Sequence, residues 1–104
     1  MSTTAAHYQP LLDQITKIAS NYSFGTMLNG FNPELINILL RNHLEKLKAA
    51  SSYTATHKLI NDAISSQFGM AMDLTNFITT ATDRDQLYKL FAAWRLQLLA
   101  EVQV

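Results

Sequence analysis

Apolar residues recur along this chain at spacings of three and four, separated by polar stretches, and no segment alternates apolar and polar residues in the manner of a strand. That period places one side of a helix against a core. Four helical stretches follow from it. Leu11, Leu12, Ile15, Ile18 and Ala19 predict a helix over 9–20, with Pro10 in its first turn and residues 1–7 as a disordered lead. Leu35, Ile36, Leu39, Leu40, Leu44 and Leu47 give a wide apolar face over 33–50. It opens on Asn32-Pro33-Glu34, a cap, a proline at the first helical position and an acid at the positive helix end. A long stripe over 53–80 runs through Tyr53, Ile60, Ile64, Phe68, Ala71, Leu74 and Ile78. A last one, over 83–102, runs through Leu87, Phe91, Trp94, Leu98 and Val102, with Asp83 and Gln86 or Thr82 and Asp85 at capping-box spacing.

The 53–80 stretch is the most unusual. From Ala49 to Thr82 there is no proline, and the only charges are Lys58, Asp62 and Asp73. The stripe keeps its phase through Gly69, which predicts one long central helix capped by Ser51, Ser52 or Thr54. The fold class expected is therefore all-α: a small antiparallel helical bundle or hairpin, one domain over 1–104, with a long central helix and three flanking ones. Between Asn21 and Asn32 the chain is rich in apolar side chains despite Gly25 and Gly30. Phe24, Met27, Leu28 and Phe31 there suit either a turn tucked under the core or an exposed contact element.

Composition narrows the function. The eight basic and eight acidic residues cancel, and only 15% of residues are charged. A neutral chain has no long-range pull on nucleic acid or anionic membrane, and little repulsion between copies. Cysteine is absent, which removes disulfides, thiolate metal sites and cysteine nucleophiles. No apolar run reaches the ~20 residues of a spanning helix, and the first residues do not read as a signal peptide. A chain of 104 residues has a thin stability margin, so self-association is expected to supplement it.

Candidate chemistry is sparse. His7, His43 and His57 lack further ligands at metal-binding spacing. His57, at the edge of the stripe, is expected to be a partly buried imidazole bonded to a neighbour. Ser51-Ser52 and Ser65-Ser66 have no histidine base at a diagnostic spacing. Phe91, Trp94 and Tyr88 read as core. His43-Leu44-Glu45-Lys46 resembles the start of a histidine phosphotransfer motif, with Leu47 where that motif carries glycine. Phosphotransfer through His43 is the remote expectation.

From Asn32 onward the order of features resembles the phasins, the proteins that coat polyhydroxyalkanoate granules. Asn42-His43-Leu44-Glu45-Lys46-Leu47-Lys48-Ala49-Ala50 is similar to that family's first helical stretch. Residues 51–78 resemble its long amphipathic helix, and Ala81-Thr82-Asp83-Arg84-Asp85-Gln86-Leu87 the start of its last. The resemblance implies a non-enzymatic, self-associating, cytoplasmic coat protein on storage granules, without cofactor or metal. Its contact with polymer, or with a partner helix, would run through Ile60, Ile64, Phe68, Ala71, Leu74 and Ile78, helped by Phe24, Met27, Leu28 and Phe31. The alternative is a small helical-bundle adaptor or homo-oligomeric interaction module.

Overall fold

The computed structural model describes residues 4–22, 32–69 and 72–102. They fold as the all-α bundle expected, with no strand among the described residues. The elements are α1 (Thr4–Ala19), α2 (Pro33–Arg41), α3 (Leu44–Ala49), α4 (Tyr53–Ser65) and α5 (Ala81–Val102). Short 3₁₀ turns at Ser66–Phe68 and Leu74–Phe77 lie between α4 and α5. The four longer helices close a ring in which α1 packs on α2 and α5, and α4 also packs on α2 and α5. His57 of α4 lies against Tyr88 and Phe91 of α5, while Arg95 reaches back to residues 47 and 48, just ahead of α4. The two helices therefore run antiparallel.

Trp94, Tyr8, Phe91, Ile15, Ile36, Leu40, Leu47, Ile60, Ile64 and Leu74 are fully buried and fill the centre of the ring. Tyr8 and Trp94 pack with ring planes tilted by 40° and centroids 5.1 Å apart, and the Trp94 indole N–H donates to Asn37 Oδ1 at 2.7 Å. This bond joins α5 to α2 inside the core, where an unpaired indole N–H would be costly.

Four boundaries differ from the expected ones. Helix α1 begins at Thr4, so Pro10 lies within it rather than in its first turn. The early start is held from outside the helix. Tyr8 is buried, and the Glu101 carboxylate accepts from its hydroxyl at 2.8 Å and meets His7 Nδ1 at 2.9 Å.

The 33–50 helix is split at Asn42-His43 into α2 and α3. Both residues are weak helix formers. The bend lets Leu47 and Ala50 reach the core and turns the Leu47 and Lys48 carbonyls toward the Arg95 guanidinium, which donates to them at 2.8 and 2.9 Å.

The long central helix is not formed. Helix α4 starts at the Ser52 cap, whose hydroxyl accepts from Ala55 N–H, and stops at Ser65. The Ser65 and Ser66 hydroxyls bond back to the Asp62 and Ala63 carbonyls, and Gly69 takes the left-handed conformation at φ +73°. That conformation ends helices and suits glycine. Residues 72–78 then return along α4 as a strap. Asn61 donates to the Met72 carbonyl at 2.7 Å and accepts from Leu74 N–H at 2.9 Å. Leu74 and Ile78 thus reach the same core that a continuous helix would have offered them, by a different backbone path.

The last helix begins two residues early. Its cap is Thr80, whose hydroxyl accepts from Asp83 N–H at 3.2 Å, rather than either pair expected from spacing.

Candidate interaction surface

The expected contact stripe is internal. Ile60, Ile64 and Leu74 have no exposed surface and Ile78 is buried beside them. The structure brings these four together, but as core. Phe24, Met27, Leu28, Phe31 and Ala71 lie outside the described residues, as does the Phe68 side chain.

Apolar surface lies elsewhere, on α2. One side of this helix faces inward through Pro33, Ile36, Asn37 and Leu40. The opposite side carries Leu35 and Ile38, which are 49% and 45% exposed. They stand one turn apart, with half-buried Leu39 beside them. A helix apolar on both sides is expected to be covered on both. In the sequence Leu35 belongs to the wide apolar face over 33–50, whereas Ile38 stands outside that face. The signal was already in the sequence: the apolar arc of Leu35, Ile36, Ile38, Leu39 and Leu40 is wider than one core-facing side can use.

Two charges flank the exposed pair. Glu34 and Arg41 are seven residues apart, so they lie within about 20° of each other around a helix of 3.6 residues per turn. Glu34 makes no ion pair among the described residues. Arg41 Nη2 stands 3.9 Å from Glu101 Oε2. Burial alone would push the Glu101 carboxyl up. Hydrogen bonds from His7, Tyr8 and Gln97 outweigh it and hold the group below its ordinary value.

Beyond Leu39 the surface drops into a groove between α2–α3 and α4. Two adjoining hollows of about 220 and 370 Å³ share Lys46, Leu59 and Asp62. Leu39, Leu40 and Ala63 line the first, and Ala49, Ala50 and Ala55 the second. His43 stands at the wall of the first hollow, at the cap position of α3 rather than within a helix. That removes the helical setting in which the phosphotransfer motif was read.

A second, polar hollow lies where the strap meets α4, lined by His57, Asn61, Asp73, Thr75, Asn76 and Tyr88 among others. His57 is buried and bonded to a neighbour, as expected, through Nε2 and Asp73 Oδ1 at 3.2 Å. The Asp73 carboxyl would be raised by burial. Hydrogen bonds from the Thr75 hydroxyl, His57 and the Thr75 amide overcome that and lower it. An ionised carboxylate only accepts, so His57 Nε2 donates to it, and the buried Nδ1 has no hydrogen-bond partner among the described residues. The His57 ring lies flat against Phe91 at 5.2 Å and edge-on to Tyr88 at 5.0 Å. This pair fastens the strap. Its unbonded nitrogen is shut away from the hollow, so it offers no base to a bound molecule. No group of three histidine, aspartate or glutamate side chains suited to a metal ion occurs among the described residues. No helix among them is long and apolar enough to cross a membrane.

Comparison with protein-family models, with curated proteins and with solved structures finds no match. The reading of the surface rests on its own chemistry.

Proposed function

We propose that this chain is a non-catalytic interaction module, a small helical bundle that engages its partner through the outer face of α2 and the groove beside it. The observation that carries this reading is the pair Leu35 and Ile38. Both are half-exposed on a helix whose other side is already committed to the core. Half-exposed, each of these two side chains forgoes about half of the roughly 1.5–3 kcal/mol that full burial contributes, which a partner covering them would recover.

A photo-cross-linking residue in place of Ile38, compared with the same residue in place of Leu96, tests it. Leu96 is more exposed, at 61%, but lies on the outside of α5 away from this face. Position 38 should give a discrete adduct and position 96 none. Equal diffuse labelling from both would overturn the reading.

The polymer surface implied by the resemblance to phasins is the rival occupant. Adsorption through Ile60, Ile64, Leu74 and Ile78 would require the bundle to open, because all four are buried in it. Co-sedimentation with polyhydroxybutyrate particles, equal at low and high salt, would favour the coat; no sedimentation in either condition favours the docking face.

A further inference from the structure

We propose that the occupant of the α2 face is a second copy of this chain, paired through α2 as two antiparallel helices. The inference rests on the α2 face being a docking surface, and adds what docks there.

Register and charge both favour this pairing. Written as a heptad, the outer side of α2 places Leu35 and Ile38 at the two seam positions, and Glu34 and Arg41 at the same flanking position one heptad apart. When two identical helices pair antiparallel about a two-fold axis, seam residues of opposite type meet, and like flanks face like flanks. Setting Leu35 of one copy against Ile38 of the other fixes the register with no further choice. In that register Glu34 of each copy stands opposite Arg41 of the other. The face is therefore self-complementary: one apolar pairing and one ion pair, each made twice. In a parallel pairing this flank would face the opposite flank of the other copy, where Leu39 stands, and neither charge would meet its opposite.

Three other observations agree with a second copy. Net charge is zero, so two chains approach without general repulsion. Glu34 has no partner among the described side chains. The Arg41 guanidinium holds only a 3.9 Å contact with Glu101, which leaves donors of its planar fork for a second carboxylate. Two turns of helix cover less than the roughly 800 Å² per partner of a standard interface, so the dimer is a weak one.

Sedimentation velocity over a wide concentration range tests the proposal by charge exchange. Wild type should pass from monomer to dimer. Glu34→Arg and Arg41→Glu should each stay monomeric where wild type dimerises, an affinity loss of about tenfold or more. An equimolar mixture of the two variants should recover the dimer, because every flanking pair in the mixed species again joins an acid to a base. That recovery also shows that both variants are folded. A wild type that stays monomeric at its solubility limit overturns the proposal. So do single variants that dimerise like wild type, or a mixture that fails to pair. A monomeric wild type whose position-38 cross-linker still yields a discrete adduct with another protein would leave the docking face standing and remove only the second copy.

Discussion

Residues 53–78 and residues 81–102 carry the same message in their apolar positions, yet they fold differently. Both show large apolar residues at spacings of three and four over several turns. The second becomes one helix, α5, with Leu87, Leu90, Phe91, Trp94 and Leu98 buried along it. The first becomes a helix, a left-handed turn and a returning strap. Periodicity reports which residues are buried. The polar residues between them decide the path the backbone takes. Between Leu87 and Leu98 there is no serine, glycine or asparagine to compete with the helix. Between Ile60 and Ile78 there are Asn61, Ser65, Ser66 and Gly69, and each has an identifiable part in stopping α4 or holding the strap.

The largest effect is expected on the continuous side. Trp94→Ala removes a fully buried ring and the bond to Asn37, and should cost about 4 kcal/mol. A calorimetric melt should show the loss as a large drop in Tm.

On the returning side, Asn61→Ala removes two bonds and leaves the buried Leu74 N–H without an acceptor, at about 2–3 kcal/mol. Hydrogen exchange should rise first at residues 74–78 and leave the α5 amides protected. Uniform loss of protection would show that the strap and α5 are one cooperative unit.

Gly69→Ala sharpens the comparison through its sign. A methyl group there would meet no atom within 4 Å, so the cost is backbone strain alone, about 1 kcal/mol at positive φ. In an unbroken helix the same change would stabilise by about 1 kcal/mol. A lower denaturation midpoint supports the turn, and a higher one would mean the rod.

The smallest effect is acidic. The folded protein holds the Asp73 carboxyl below its ordinary value of 3.8. The contribution is complete above that pH and is lost as pH falls through the lower folded value, because the unfolded chain binds the proton first. Asp73→Asn should therefore lower stability slightly at neutral and alkaline pH and flatten the acid limb, so that the stability–pH curves of variant and wild type converge below the folded value.

The same contrast explains what was legible in the sequence. The Asn32 cap, whose side chain accepts from Glu34 N–H at 2.9 Å, is a local feature and was readable locally. So were the all-α class and the burial of Phe91 and Trp94. The strap was not, because Leu74 and Ile78 satisfy a helical stripe and a return path equally well. Nor was the start of α1, which depends on Glu101 at the other end of the chain. The exposed side of α2 was half legible: Leu35 was read as part of the apolar face over 33–50, but Ile38 was not, and with it the surplus over one core-facing side went unread.

Trp94, the chain's single tryptophan, packs against Tyr8 of α1 and is bonded to Asn37 of α2. Its emission is therefore an optical gauge of the α1–α2–α5 junction, quenched or shifted when that corner loosens. Opening of the strap reaches that corner only through the core that Leu74 and Ile78 share with Trp94. A fluorescence trace and an exchange trace at residues 72–78, taken on one sample, thus follow two ends of one core, and any gap between them measures how tightly that core couples the strap to the α1–α2–α5 corner.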